Sequence, residues 1–311
     1  MTDRQSRLPS EARALVTGAS TGIGRELARV FAQHGHPLVL VARNGPRLHQ
    51  LADELREQYK VAVDVLIKDL SLATTASELF QELNQKSLSI NILVNNAGLD
   101  VYGDFVDTDW AEELRLLQVN LLTLTQLTKL LLKDMRAQGY GRILNLGSTG
   151  SFIPSPLNAV YSATKAYVLS FSEAVAEELR GSGVTITVLC PGVTRSEFHQ
   201  RAGMERIRLL RFGVMEAGVV AEAGYQALMA GRRVVVPGWI NQIQVLAARL
   251  LPSSVMTRIA KVMNTYRIRT VRHLCKRNSL SRWMLKFTTA CNRLLGGDTS
   301  ASSSKTLSAL M

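Results

Sequence analysis

No acidic residue occurs between positions 223 and 297, although that segment holds 13 lysines and arginines. The preceding 222 residues are almost neutral, with 23 basic and 24 acidic side chains. The net charge of +12 is therefore a property of the C-terminal quarter and not of the body of the protein.

Cysteine and long apolar runs are also scarce. The three cysteines, Cys190, Cys275 and Cys291, are odd in number and far apart, so they indicate neither a disulfide framework nor a metal site. The first residues lack the apolar core of a secretory signal. No segment reaches the about 18 uninterrupted apolar residues of a membrane span. We therefore expect a cytoplasmic protein with no signal peptide, no transmembrane helix and no bound metal.

What the chain does have is an alternation of two patterns over its first 190 residues. Apolar runs typical of buried parallel strands occur at 14–16, 38–41, 61–66, 92–94, 143–146 and 184–189. Segments of helical periodicity lie between or beside them, at 23–34, 46–59, 73–85, 109–136 and 158–180. This order predicts an α/β fold with a doubly wound parallel sheet, and a seventh strand is plausible at 234–236.

The pattern changes after residue 239. We predict an N-terminal arm over 1–12, one α/β domain over 13–239, a basic helical extension over 240–297 and a disordered tail over 298–311. The extension shows apolar residues at helical spacing among its basic ones, and the tail is small and polar.

A glycine-rich turn joins the first predicted strand to the first helix, in the sequence Thr17-Gly-Ala-Ser-Thr-Gly-Ile-Gly24. Its three glycines allow a sharp turn and a close approach of the backbone to a ligand. The helix that follows presents free N–H groups and the positive end of its dipole. This context favours a pyrophosphate site.

Tyr161 and Lys165 form the second pattern, because residues four apart lie on one face of a helix. A free tyrosine titrates near pH ~10, and a neighbouring cation lowers that value. Such a tyrosine can exchange a proton with an alcohol or a ketone. Ser148, from the preceding strand, could hold the same oxygen. An ordinary surface helix with an incidental Tyr and Lys remains the alternative at this point.

Between about Arg13 and Gly203 the chain resembles the short-chain dehydrogenase/reductase family. The resemblance rests on seven motifs in family order: TGxxxGIG at 17–24, Asp69, NNAG at 95–98, Asn120, Ser148, Tyr161-x3-Lys165 and Pro191-Gly192. It implies a Rossmann-like fold and the catalytic set Asn120, Ser148, Tyr161 and Lys165. In that set Tyr161 is the general acid or base, Lys165 lowers its pKa and holds the nicotinamide ribose, Ser148 holds the substrate oxygen, and Asn120 anchors a water relay to Lys165.

The resemblance also implies the contacts of a nicotinamide cofactor. Asp69 and Leu70 would meet the adenine, Asn96, Ala97 and Gly98 the adenosine ribose, and Thr194 and Ser196 the nicotinamide amide. The full set of expected cofactor contacts is Gly18, Ser20, Thr21, Gly22, Ile23, Gly24, Arg43, Asp69, Leu70, Asn96, Ala97, Gly98, Tyr161, Lys165, Pro191, Gly192, Thr194 and Ser196.

Arg43 decides the expected form of the cofactor. NAD-preferring dinucleotide folds place an acid at the end of the second strand, and none is present here. A guanidinium suits the 2′-phosphate of NADP instead. We therefore expect NADP(H), with a solvated strand-end charge as the alternative for Arg43.

The family's variable lid falls at 197–204, followed by Arg206, Arg208 and Arg211. The lining candidates share an apolar character that favours a hydrophobic ketone or alcohol, or else they are core residues: Leu99, Tyr102, Phe152, Ile153, Phe198 and Met204. The arginines near the lid could meet an anionic substrate group or simply face water.

Three interpretations are open for residues 240–294. The segment is a helical cap or dimer arm with solvated charges, an amphipathic region that binds anionic lipid, or a nucleic-acid-binding region. The last has a basic patch but no recognisable binding motif, so we expect no nucleic-acid partner.

The sequence as a whole predicts an NADP(H)-dependent oxidoreductase acting on a carbonyl or alcohol of an apolar, lipid-like or acyl-like substrate, with homo-oligomerisation open. Two alternatives remain: an epimerase or dehydratase that uses the same Tyr-Lys site, and a nucleotide-bound regulatory or membrane-associated protein without turnover. The four intact catalytic-set residues argue against the second.

Overall fold

The computed structural model describes residues 12–195 and 214–265. The strands are β1 (Ala14–Thr17), β2 (Leu38–Ala42), β3 (Val63–Ile67), β4 (Ile92–Asn95), β5 (Gly141–Leu146), β6 (Val184–Leu189), β7 (Thr194–Arg195), β8 (Met215–Glu216) and β9 (Val234–Val235). The α-helices are α1 (Gly22–Gln33), α2 (Gly45–Tyr59), α3 (Thr75–Gln85), α4 (Trp110–Leu117), α5 (Leu124–Gln138), α6 (Ala159–Glu178), α7 (Ala217–Met229), α8 (Trp239–Leu250) and α9 (Ser253–Asn264).

Seven of these strands form one parallel sheet in the order β3-β2-β1-β4-β5-β6-β9. β1 pairs on one side with β2, where Val16 faces Leu40, and on the other side with β4, where Val16 faces Val94. The direction of winding therefore reverses at β1, and ligands of such sheets bind beyond the carboxyl ends of the strands at that point. The predicted doubly wound α/β fold is confirmed, including its seventh strand.

Strand residues alternate between two cores, as the period of two requires. On β1, Val16 packs in a cluster with α1, α2 and α7, which contribute Leu27, Leu48 and Val220. Its neighbour Leu15 packs on the other face with α3 and α5, through Leu79 and other side chains. Helices cover both faces, which explains why the strands read as continuous apolar runs.

The helix expected over 109–136 is interrupted. Between α4 and α5 the backbone forms a six-residue π-helix, Gln118–Thr123, in which Val119, Asn120 and Thr123 are buried. π-turns inside helices occur frequently at functional sites. Here the turn carries the one asparagine that the sequence placed in the catalytic set.

Beyond β9 the described chain continues into α8 and α9, and the described residues up to 265 belong to the same compact unit as the sheet. Among the described residues, no helix combines the length and apolarity needed to cross a membrane. Several expectations fall outside the described residues: the N-terminal arm up to residue 11, Ser196, the lid at 197–204, Arg206, Arg208 and Arg211, the basic extension over 266–297, and the tail. How the chain divides into domains stays a prediction.

Candidate active site

The glycine turn is locked to the end of β4. Gly18 and Gly22 have φ of 66° and 57°, which favours glycine. A Cβ on Gly24 would lie 2.2 Å from the side-chain nitrogen of Asn96 and 2.4 Å from the carbonyl oxygen of Gly18. That nitrogen donates to the carbonyls of Thr17 (2.9 Å) and Gly18 (3.2 Å). Asn96 therefore shapes the turn, while the ribose contacts expected of Asn96, Ala97 and Gly98 stay a prediction.

The start of α1 fits a phosphate group. Thr21 is the N-cap, and its side chain makes no capping hydrogen bond within the described part of the chain. The first turn also contains no acidic residue, so its N–H groups and the helix dipole remain available to an anion. A recess opens beside this turn and is lined by Ser20, Thr21, Gly22, Arg25, Arg47, Gln50 and Leu51. These features fit the diphosphate of a dinucleotide.

Two arginines of this recess were missed by the sequence reasoning. Arg25 follows the last glycine of the turn and lies 3.6 Å from Glu54. Arg47 lies in the first turn of α2, where its backbone N–H donates to the side chain of Asn44 at 3.0 Å. The available signal for Arg47 was its place in the first turn of the helix that follows Arg43.

Arg43 itself lies beside Asp69, with 4.0 Å between guanidinium and carboxylate. Burial acts to raise the pKa of Asp69, but hydrogen bonds from Ser71 and the charge of Arg43 outweigh it and lower the pKa. Leu70 is buried, and its carbonyl accepts from Thr123 at 2.9 Å. Arg43 and Asp69, which are expected to meet the 2′-phosphate and the adenine, are therefore adjacent, one shortly after β2 and the other shortly after β3.

Asn120 is fully buried in the π-helix, and its side-chain amide makes three hydrogen bonds. Its oxygen accepts from the Leu99 N–H at 2.9 Å. Its nitrogen donates to the Leu99 carbonyl at 3.0 Å and to the Thr164 hydroxyl at 3.1 Å. A Cβ on Gly98 would lie 3.5 Å from the Asn120 oxygen and 3.8 Å from the Lys165 ammonium, so both side chains lie close to the same point beside this glycine. Asn120 thus joins the loop after β4 to α6, next to Lys165.

Tyr161 and Lys165 lie on α6, and Ser148 follows β5. The Lys165 ammonium donates to the Leu146 carbonyl at 2.7 Å and lies 5.6 Å from the centroid of the Tyr161 ring. Ser148 forms a hydrogen bond with the Tyr161 side chain. Its hydroxyl also accepts from the Gly150 N–H at 3.0 Å. The structure therefore brings together all four residues of the expected catalytic set.

Burial dominates the electrostatics of Tyr161 and Lys165. Burial raises the pKa of Tyr161, the charge of Asp100 raises it further, and the hydrogen bond with Ser148 only partly opposes them. Burial also lowers the pKa of Lys165 to about 8. Burial is the largest of these effects on both groups, because each loses stabilisation of its charged form. The lowering of the Tyr161 pKa expected from Lys165 stays a prediction.

Asp100 is a site residue that the sequence reasoning missed. It lies in the loop after β4, and the side-chain nitrogen of Asn158 donates to its two carboxylate oxygens at 2.9 and 2.8 Å. Asn158 is the N-cap residue of α6. The signal in the sequence was an acid two positions after Gly98, inside the otherwise apolar run Leu99-Asp100-Val101-Tyr102.

The segment after β6 packs against the C-terminal helices. A Cβ on Gly192 would lie 2.2 Å from the side-chain oxygen of Asn241, on α8. The Thr194 hydroxyl donates to the Gly192 carbonyl at 3.1 Å. The nicotinamide contacts expected of Pro191, Gly192 and Thr194 stay a prediction.

Four of the six lining candidates are described. Ile153 is buried, whereas Leu99, Tyr102 and Phe152 are partly exposed. The Arg249 guanidinium, on α8, lies 5.4 Å from the centroid of the Phe152 ring. The Tyr102 hydroxyl donates to the backbone carbonyl of Asn264, at the end of α9. α8 and α9 therefore contact the loops that carry the lining candidates.

Comparisons with known proteins agree with this geometry. A family model described as short chain dehydrogenase matches residues 12–206. A ketoacyl reductase from Nostoc sp. is 35% identical over 178 residues, or 57% of this chain and 62% of the relative. A human very-long-chain 3-oxoacyl-CoA reductase is 32% identical over 185 residues, or 57% of this chain and 58% of the relative. The chain thus matches about three fifths of the length of these curated relatives, 62% of the first and 58% of the second.

A solved structure is similar over almost the whole chain. It is a short-chain dehydrogenase from Sphingobium yanoikuyae in complex with NADPH, 28% identical, with a TM-score of 0.68. The likeness covers 94% of this chain and 99% of that one. The shared fold therefore extends past the region matched by the family model.

Proposed function

The chain belongs to the short-chain dehydrogenase family, and we propose that it is an NADP(H)-dependent oxidoreductase that interconverts a carbonyl and an alcohol. One observation carries the proposal: Asn120, Ser148, Tyr161 and Lys165 meet at the carboxyl end of the sheet, beside the glycine turn at the point where the winding reverses. A protein that only binds a nucleotide has no need of all four.

The residues of the chain handle the proton. In reduction the Tyr161 hydroxyl gives its proton to the substrate carbonyl oxygen, and the resulting phenolate is reprotonated from solvent. Ser148 donates a hydrogen bond to the same oxygen as negative charge develops on it. The nicotinamide, when bound, supplies or accepts the hydride. In oxidation the phenolate of Tyr161 takes the alcohol proton.

The preference for NADP(H) rests on a cationic edge of the cofactor cleft. Arg43 follows β2, and Arg25 and Arg47 line the recess beside the glycine turn. Guanidinium groups bind phosphate through paired hydrogen bonds. Support comes from the Sphingobium structure, which holds NADPH.

The substrate we propose is a ketone or alcohol on a largely apolar, acyl-like molecule. The lining candidates that are partly exposed are apolar or aromatic: Leu99, Tyr102 and Phe152. The names of the relatives point in the same direction, since these relatives are reductases of ketoacyl and 3-oxoacyl compounds.

The test is the oxidation of NADPH in the presence of a panel of ketones that includes 3-oxoacyl thioesters. Tyr161→Phe should lower kcat at least about 100-fold, since general acid catalysis contributes about 10²- to 10⁴-fold. Tyr167→Phe is the matched control on the same helix, because this side chain is 40% exposed and packs on Phe171. Undiminished turnover in Tyr161→Phe would remove Tyr161 from the acid role. Conversion of substrate without net NADPH consumption would indicate an epimerase or dehydratase.

We further propose that α8 binds an anionic membrane surface. Its apolar residues Trp239, Ile243, Leu246 and Leu250 recur at helical spacing and are 59%, 52%, 56% and 74% exposed. Arg249 lies on the same helix and Arg258 and Lys261 on the next one, and no acidic residue occurs from 223 to 297. An exposed apolar stripe with basic neighbours is the arrangement of an interfacial helix, and it fits an apolar substrate.

Flotation with lipid vesicles tests this surface. The wild type should float with phosphatidylcholine vesicles that contain phosphatidylserine, and less with phosphatidylcholine alone. Leu246→Gln/Leu250→Gln should reduce flotation, whereas Val219→Gln, at a 58% exposed site on α7, should leave it unchanged. Equal flotation of all three proteins, or flotation of none, contradicts the proposal.

A second copy of the chain is the partner we propose for the face formed by α4 and the π-helix. Trp110, Leu114 and Leu122 are 65%, 51% and 57% exposed there. Light scattering should give the wild type a mass above that of the monomer, and Leu114→Gln/Leu122→Gln should shift it toward the monomer. A monomeric wild type contradicts this assignment.

A further inference from the structure

The loop after β4 and the start of α6 are joined by one pair of side chains. The Asn158 nitrogen donates to both Asp100 carboxylate oxygens, at 2.9 and 2.8 Å. Asn158 is 5% exposed, and its backbone carbonyl accepts from the Ser162 N–H at 2.9 Å in the first turn of the helix. The contact therefore fixes the end of α6 from which Tyr161 projects, one turn before Lys165.

We propose that Asp100 is a positioning residue for the proposed reaction, which anchors the start of α6 through Asn158 and sets a negative charge beside Tyr161 and Lys165. The inference rests on the proposed function, because a role of Asp100 in catalysis requires that the chain catalyses the proposed reaction. The placement of the carboxylate is a property of the chain alone.

The ionisable groups around this site come from three elements. Among the described residues they are Asp100 after β4, Tyr161 and Lys165 on α6, and Cys190 after β6. Burial raises the pKa of Cys190 to about 12, so this thiol is neutral near pH 7. Asp100 and Lys165 are therefore the groups whose charge changes near neutral pH.

Asp100 titrates near neutral pH because burial raises its pKa to about 7, against the opposing effects of the Val101 N–H, Asn158 and Lys165. In its carboxylate form it raises the pKa of Tyr161, whose burial acts in the same direction. It also raises the pKa of Lys165, against the larger lowering by burial. A carboxylate at this place thus keeps protons on both side chains.

The consequence concerns the two directions of the reaction. Reduction of a carbonyl needs the phenol form of Tyr161, and oxidation of an alcohol needs the phenolate. Burial already holds Tyr161 as the phenol that reduction needs at neutral pH, and the Asp100 carboxylate adds to this effect and moves oxidation to higher pH.

The first experiment measures the chain without substrate or cofactor. In protein labelled with [ε-¹³C]lysine, the Lys165 resonance is assigned by its loss in Lys165→Met and titrated by NMR. The wild-type midpoint should lie at about 8. In Asp100→Asn it should fall by about one pH unit, since a nearby charge shifts a pKa by about 1–3 units. Asp104→Asn removes an exposed acid of the same loop and should leave the midpoint unchanged. Equal midpoints in the two variants overturn the proposal.

A second measurement needs no variant. In wild-type protein labelled with [γ-¹³C]aspartate, one carboxyl carbon should titrate at about 7, far above the ordinary aspartate value. The absence of any such resonance overturns the placement of Asp100 even if Asp100→Asn does not fold.

The third measurement separates charge from anchoring. Asp100→Asn keeps an oxygen that accepts from Asn158 and removes the charge, so the rise of alcohol oxidation with pH should move about one unit lower. Asp100→Ala also removes the anchor, and it should lower kcat below that of Asp100→Asn at the pH optimum of each. An unmoved pH profile overturns the electrostatic role, and equal kcat values overturn the anchoring role. A protein that passes both NMR tests but turns over no substrate contradicts the proposed function and not the placement of Asp100.

Discussion

Replacing Arg43 with serine should convert a preference for NADPH into near indifference between NADPH and NADH. The Arg43 side chain is 56% exposed, and its guanidinium lies 4.0 Å from Asp69, just after the strand that we expect to meet the adenosine side of the cofactor. A hydrogen bond to a charged group contributes about 1.5–3 kcal/mol, and we take the lower part of this range because more than half of the side chain is in contact with solvent.

A loss of about 1.5–2 kcal/mol corresponds to about a 10- to 30-fold weaker Kd for NADPH, since each 1.4 kcal/mol is about tenfold. The Kd for NADH should change little, because NADH lacks the 2′-phosphate. Fluorescence titration of the two cofactors measures both values, and the NADPH effect should shrink with added salt.

Arg180→Ser is the matched control. Arg180 follows the C-terminal end of α6, its side chain is 73% exposed, and it forms an ion pair with Glu177. It should leave both Kd values unchanged. An equal loss for NADH and NADPH in Arg43→Ser would show that Arg43 supports the fold of the cleft and does not read the phosphate. An unchanged Kd for NADPH in Arg43→Ser would show that Arg43 does not bind the 2′-phosphate, and would leave Arg25 and Arg47 as the candidates.

Two further outcomes concern the turn and the core. Gly24→Ala should abolish the NADPH-induced rise in Tm, because its Cβ would lie 2.4 Å from the Gly18 carbonyl; an unchanged rise in Tm contradicts the described turn. His36 is buried, and burial lowers its pKa. Because the unfolded chain then binds more protons below pH ~6.5, the free energy of unfolding should fall as the pH drops from about 7 to 5. Urea titrations should show a smaller fall in His36→Gln, and equal slopes contradict this assignment.

The sequence was sufficient for the features that depend on local pattern. The glycine turn, the alternation of strands with helices and the spacing of Tyr161 and Lys165 are all written in short segments. The parallel sheet follows from them, because buried strands joined by helices have few other arrangements.

The features that the sequence did not reveal depend on burial and on contacts between distant positions. Asp100 is an ordinary acid in the sequence, and only the fold places it against Asn158 at the start of α6. The π-helix around Asn120 follows helical periodicity closely enough to look like a plain helix in the sequence. The raised pKa of Tyr161 results from enclosure, which no spacing of residues expresses.

The contact between Tyr102 and Asn264 joins positions 162 residues apart. The Asn264 side chain also donates to the Pro156 carbonyl at 2.9 Å, so the last described helix secures two loops of the catalytic face. During synthesis the N-terminal strands and the glycine turn can pair long before residue 264 leaves the ribosome. The nucleotide cleft can therefore form early, whereas the catalytic face is completed last. A nascent chain that has not yet reached residue 264, or a chain that is cut before it, should therefore bind a cofactor but not hold a substrate.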